Sequence, residues 1–292
     1  MKSKIVSTYI QTAVSAAMLA AAGAASAQNI FVANWYPPGA IYSITPGGTV
    51  STFVSSLGNQ PEELAFDGSG NLFVAGSTAG TVDKVTGGGA VSTFASGLGN
   101  VNGLAFNSVG DLFTADFAGG DIYELTPGGT KTTFATGLSG PKSLAFNAVG
   151  DLFVSDSGSG NIYEFNPGGT KTTFASGVAS PNGLAFNAGG NLFVGYSGTT
   201  NGVIEFAPNG IQVPFVANFA NSANDLAFNS AGNLFVTDGP NLLEITPGGS
   251  VSTFASGLGN ATGIAIQPVP EPSTIALAVL GGTAFLLRRR KN

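Results

Sequence analysis

The sequence predicts an all-β fold, a six-bladed β-propeller with four-stranded blades, on three observations. One unit is written six times, opening at Asn29, Asn71, Asp111, Asp151, Asn191 and Asn233, a period of 40 to 42 residues. Self-similarity at such a period marks a repeat architecture. Each unit holds four short strand-like segments separated by Gly-rich turns, and no unit contains a convincing helical pattern. The first unit starts at Ile30-Phe31-Val32 without the Leu-Ala-Phe strand that precedes the others, whereas the last ends on Gly263-Ile264-Ala265-Ile266, which is that strand. One blade shared between the termini closes the ring.

The elements follow in order within each unit. The opening strand, such as Asp151-Leu152-Phe153-Val154, is a continuous apolar run suited to burial on both faces. A polar Gly-rich turn leads to a second strand, Asn161-Ile162-Tyr163-Glu164-Phe165. The turns Pro46-Gly47-Gly48, Pro127-Gly128-Gly129, Pro167-Gly168-Gly169 and Pro247-Gly248-Gly249 place proline where φ is already set and glycine where φ must be positive, as tight hairpins demand. A Thr/Ser-rich third strand, Lys171-Thr172-Thr173-Phe174, has the alternation of a wet outer edge. After a loop, Gly183-Leu184-Ala185-Phe186 forms the innermost strand and passes through Asn187-Ala188-Gly189-Gly190-Asn191 into the next unit. Three phenylalanines recur in most units, as in Phe146, Phe153 and Phe174. A parallel β-helix is the rival architecture, but its coils are shorter and do not need a Pro-Gly hairpin in each.

The ends of the chain read as addresses. Lys2 and Lys4 precede an apolar run, and Ala25-Ser26-Ala27 supplies the small residues a signal peptidase reads, so residues 1–27 are expected to be a signal peptide and 28–268 the propeller. Residues 269–292 hold Val269-Pro270-Glu271-Pro272-Ser273-Thr274, an apolar segment expected to be a short hydrophobic helix, and the basic end Arg288, Arg289, Arg290 and Lys291. About 15 residues separate Pro272 from Arg288, against roughly 20 needed to span a bilayer. The segment suits a transient membrane stay, with its basic end in the cytoplasm. This order of motif, apolar segment and basic stop resembles the PEP-CTERM sorting signal of exopolysaccharide-producing Gram-negative bacteria. The resemblance implies export across the inner membrane, processing by an exosortase, and delivery to the cell envelope, outer surface or extracellular matrix.

Composition excludes several function classes. Between the two signals stand 15 acidic residues against Lys84, Lys131, Lys142 and Lys171. Nucleic acid is excluded as a partner, because phosphate binding requires clustered cations. With no histidine and no cysteine, the chain has no imidazole base, no thiol nucleophile, none of the usual zinc sites and no disulfide.

Pro181-Asn182-Gly183-Leu184-Ala185-Phe186 and Asp151-Leu152-Phe153-Val154-Ser155-Asp156 resemble the unit pattern of NHL-repeat and gluconolactonase-like six-bladed propellers, over roughly residues 29–267. In such propellers the residues just before the inner strands gather at one mouth of the central channel. Here that position holds Glu62, Asn102, Lys142, Asn182, Asn224 and Thr262, with Asp225 beside them. The resemblance implies that Glu62, Asn102, Asn182 and Asn224 could hold calcium or another divalent cation for a lactonase-like hydrolase. Lys142 departs from that pattern. Two other readings fit the same residues: loop-shaping amides, or a mouth for a small ligand or glycan.

Asp116, Asp156 and Asp238, with Asn34 in the first unit, end the opening strands and are expected to cap turns. Asp67-Gly68-Ser69-Gly70-Asn71 has the look of a calcium loop but is expected to be a hairpin like Asn147 to Asp151. Glu124, Glu164, Glu205 and Glu244 share one strand position and are expected to be solvated or paired on a blade face. Trp35-Tyr36-Pro37-Pro38 breaks the repeat with bulky aromatics and, with Tyr196, is expected to offer exposed contact surface to exopolysaccharide or a surface protein. The function expected is a non-enzymatic binding or structural module without cofactor, with the metal-dependent hydrolase as the alternative.

Overall fold

In the computed structural model, which describes residues 28–268, twenty-four strands form six four-stranded antiparallel sheets. The expected signal peptide, the expected sorting motif and the hydrophobic segment expected as a helix lie outside the described residues. Ring closure follows the sequence expectation: Ala261–Ile266 pairs with Ile30–Asn34, setting Ile266 opposite Ile30 and Ile264 opposite Val32. The other blades run in simple order from the inner strand outward.

Turn geometry refines the hairpin expectation. Gly48 donates its N–H to the Thr45 carbonyl at 2.8 Å, and it is this last glycine, at φ 80°, that takes the left-handed conformation. Pro46 and Gly47 form the turn, and Gly48 returns the chain to the ladder. The Asp67 hairpin is likewise a turn. Its carboxylate accepts the N–H groups of Ser69 and Asn71 at 2.9 and 2.8 Å, as the Asn147 side chain does for Val149 and Asp151.

The core consists of six apolar clusters, each lying between adjacent blades. Phe113, Ile122, Leu144, Leu152, Val154 and Phe165 form one of them, between the third and fourth blades. The phenylalanines of one blade, such as Phe146, Phe153 and Phe174, therefore do not meet each other as a trio. Phe146 packs edge-on against Phe113 of the preceding blade at 5.1 Å, while Phe153 packs against Phe174 and against Phe186 of the following blade, both at 5.0 Å. A radial sheet has two covered faces, and alternate side chains supply both. The third strands are the exposed outer edge, as their Thr/Ser alternation predicts.

The inner strands surround the channel, and each carries a β-bulge. The register breaks between Pro61 and Leu64, Val101 and Leu104, Pro141 and Leu144, Pro181 and Leu184, and Ala223 and Leu226, with a matching break in the closing strand. A bulge re-aims the residues it releases from the ladder. The released pairs are 62/63, 102/103, 142/143, 182/183, 224/225 and 262/263, so the candidate ring is displayed by the bulges themselves.

Close approach around the channel requires glycine at alternate blades. A Cβ on Gly183 would lie 2.5 Å from the Asp225 Cα, and one on Gly103 would strike the Lys142 carbonyl. Both neighbours are backbone and cannot swing aside. Gly183→Ala is therefore expected to destabilise the fold by about 1–3 kcal/mol, read as a lower melting temperature, whereas Ala at the open Gly177 position pays only for its positive φ.

Candidate functional site at the channel mouth

The structure brings Glu62, Asn102, Lys142, Asn182, Asn224 and Thr262 together at one end of the channel, with Glu63, Ser143 and Asp225 just inside. Each bulge presents its first residue to the mouth and its second to the channel interior. Lys142 turns inward and donates from Nζ to Asn182 Oδ1 at 2.7 Å. Asn182 is buried, and its Nδ2 donates to Ser197 Oγ at 3.1 Å. Asn102 donates to Asn100 Oδ1 at 2.7 Å, Asn224 to the Ala261 carbonyl at 2.9 Å, and Thr262 to the Pro61 carbonyl at 2.8 Å.

Trp35 belongs to this same mouth. It is half-buried rather than exposed, and its indole N–H donates to Glu62 Oε1 at 2.8 Å. An indole N–H seeks a partner once its ring is covered. Tyr36 remains 55% exposed, with its ring edge-on to Trp35 at 6.4 Å, whereas Tyr196 is half-buried and packs against the cluster between the fourth and fifth blades. The expectation of three exposed aromatics thus holds for Tyr36 alone. Beside the ring lies a recess of about 460 Å³ lined by Trp35, Glu62, Asn201, Asn221, Asn224 and Asn260, among others.

Electrostatics separate the acids. Burial raises the pKa of Glu62, opposed by hydrogen bonds from Trp35 and Ser77 and by the Lys142 charge. Burial lowers the pKa of Lys142, and Glu62 opposes that shift.

Deeper in, Glu63 was not singled out by sequence. Its column reads Glu63, Gly103, Ser143, Gly183, Asp225 and Gly263. The three larger side chains alternate with glycines, each glycine packing against the backbone of the next blade, and each larger side chain accepts a backbone N–H from the inner strand that follows it. Glu63 accepts from Leu104, Ser143 Oγ from Leu184 at 3.2 Å, and Asp225 Oδ2 from Ile264 at 2.8 Å. These N–H groups are orphaned by the bulges and must be satisfied. An acid in a column of small residues was the available signal. Glu63 is enclosed by protein while touching the channel space; burial, then the nearby Asp225, raises its pKa well above the ordinary value. Burial pushes Asp225 up to about 7 despite hydrogen bonds from Ile264 and Leu226.

The acids ending the opening strands are caps, as expected, and each ties down the loop entering the inner strand. Asp116 Oδ1 accepts from the Asn100 and Gly119 N–H groups, Asp156 from Ser139 and Asp238 from Asn221, at 2.7 to 3.0 Å, and Asn34 does the same for Asn260. At Gly76 the missing side chain is replaced from the loop: Asn59 fills the space and donates to Asp83 at 2.9 Å. Glu205 and Glu244 accept from Asn191 and Asn233 on the blade face.

As a metal site the ring fits poorly. Asn182 Oδ1 accepts from Lys142, Glu62 Oε1 accepts from Trp35, and both Asp225 oxygens face backbone N–H groups. Among the described residues, no group of three or more acidic side chains stands together as a metal-holding set.

Residues 268–291 match the PEP-CTERM protein-sorting motif. That motif implies export to the cell envelope or surface and processing by an exosortase. No curated protein matches the chain. Among solved structures, a chain of a nidogen/laminin complex is similar at 19% identity and TM-score 0.74, covering 82% of this chain and 98% of that one. A gluconolactonase from Xanthomonas campestris is similar at 16% identity and TM-score 0.68, covering 77% and 82%. A virginiamycin B lyase from Staphylococcus aureus is similar at 13% identity and TM-score 0.60, covering 79% and 85%. At these identities the likeness shows the propeller fold.

Proposed function

We propose that this exported propeller is a non-enzymatic binding or structural module of the cell surface or exopolysaccharide matrix, with the channel mouth as its contact site. The observation that carries this reading is the recess at the mouth. It combines an aromatic wall, Trp35, with amide side chains that offer both donors and acceptors. The indole bond to Glu62 fixes the orientation of the Trp35 ring, the kind of pre-organisation that lowers the cost of binding. Its volume of about 460 Å³ lies within the range of small-ligand sites, enough for a sugar unit or a side chain of a surface protein. Fold alone does not decide between binding and catalysis.

The second reading, a metal-dependent hydrolase at the same mouth, is favoured by the convergence of Glu62, Asn102, Asn182 and Asn224. Lys142 and its bond to Asn182 weigh against it. Trp35→Ala is expected to weaken retention on the producing cell's exopolysaccharide about tenfold, or ~1.4 kcal/mol, measured by co-sedimentation with the polymer. The melting temperature serves as the folding control. Unchanged retention in a folded variant rejects Trp35 as the contact. Release of lactone hydrolysis products by the unaltered protein would reject the non-enzymatic reading.

A further inference from the structure

We propose that the Lys142 ammonium is a built-in cation of the channel mouth, occupying the place that the surrounding oxygens would otherwise offer to a divalent metal ion. The inference concerns the ring alone and stands whether or not the mouth engages a polymer.

Six bulges deliver six side chains to the mouth. Five carry oxygen, at Glu62, Asn102, Asn182, Asn224 and Thr262, and the sixth is Lys142. Side-chain carboxylate, amide and hydroxyl oxygens are the ligands hard cations take. Lys142 could have reached solvent along its flexible stem, as lysines generally do. Instead its Nζ is drawn in onto Asn182 Oδ1 at 2.7 Å. Asn182 is itself held by Ser197 and buried, so the acceptor is fixed before the ammonium arrives.

Charge balance points the same way. The cation that offsets Glu62 is Lys142, whose pKa burial lowers and Glu62 supports. A divalent ion in the ring would have to displace the ammonium from Asn182 or sit beside it against direct repulsion. Below the ring, both Asp225 oxygens are committed to the N–H groups of Leu226 and Ile264. They are not free to recruit a metal past Lys142.

The decisive variant is Lys142→Asn, which makes the sixth position an oxygen ligand like its neighbours. The purified protein is melted in chelator and then with calcium, magnesium, manganese or zinc. The unaltered chain is expected to melt at one temperature under all conditions. Lys142→Asn is expected to gain a saturable rise of several degrees with calcium or manganese, removed by adding Glu62→Ala. Lys142→Gln, with the amide on a longer stem, is the second variant should Lys142→Asn not fold, and Lys142→Met, similar in reach but without oxygen, is expected to gain nothing. A metal-dependent rise in the unaltered chain that Glu62→Ala abolishes overturns the proposal. So does the absence of any rise in both amide variants.

Discussion

A chain ending at Ala261 is expected to lose its cooperative melting transition, whereas one ending at Pro268 keeps it. The shorter chain lacks Thr262 to Ile266, most of the strand that closes the first blade. Ile264 is 3% and Ala265 6% exposed, and they belong to two different interblade clusters, one on each face of that blade. Losing them opens both interfaces together. Ile30–Asn34 becomes an edge, with its ladder partners on the closing side gone while Ala40–Ile44 remains, and a hydrophobic strand presented to solvent. Asp225 also loses the Ile264 N–H that its carboxyl accepts. Each buried aliphatic side chain contributes about 1.5–3 kcal/mol, and the whole fold is held by roughly 5–15 kcal/mol. The loss is therefore comparable with the total. Calorimetry is the measurement. A single sharp transition in the Ala261 chain, at the temperature of the Pro268 chain, would show that the ring does not depend on closure.

Stability is also expected to fall as pH rises from about 4 to about 7, the reverse of the usual behaviour of carboxylates paired with cations. Asp225 has an ordinary pKa of 3.8 and is raised by burial to about 7 in the fold. Between those values the folded chain holds a proton that the unfolded chain has released, so raising the pH favours unfolding. The contribution is complete below pH 4 and gone above the folded value, a swing on the order of a few kcal/mol. Glu63, raised by burial and by Asp225, acts in the same direction. Asp67 acts oppositely. Against the effect of burial, hydrogen bonds from Asn71 and Ser69 hold its pKa below 3.8, so its influence is confined to more acid solution. Melting at pH 5 is thus expected above melting at pH 8. Asp225→Asn should flatten the profile, and Asp225→Asn with Glu63→Gln should remove most of what remains. The slope is the diagnostic, because Asn also loses one of the two N–H bonds and lowers the melting temperature at every pH. An unaltered slope in the double variant would place the pH dependence elsewhere.

Much of the fold was legible because its signals are local and repeated. Pro-Gly-Gly turns, apolar opening strands and Thr/Ser edges each state the structure of five or six residues, and six copies average out the exceptions. Even closure, the contact between Ile30 and Ile266 across nearly the whole chain, could be read from a strand missing at one end and surplus at the other. The mouth residues were legible for the same reason, since one column of the repeat becomes one ring.

Columns say which residues share a level, not which of them touch. Trp35 stands in a column with Ser77, Phe117, Ser157, Ser197 and Gly239, and nothing in that column shows that its indole crosses to Glu62 of the next blade. Glu63 reads as the neighbour of Glu62 until the bulge turns the two apart. Lys142 reads only as a departure from the cation-holding pattern; the structure gives its hydrogen bond to Asn182. By itself the sequence determined the period, the blade, the ring and the export address, because each is encoded within one unit or one terminal segment. Only the tertiary structure decided the pairing and charge of the mouth, because those depend on distances between blades, which come into existence when the ring closes.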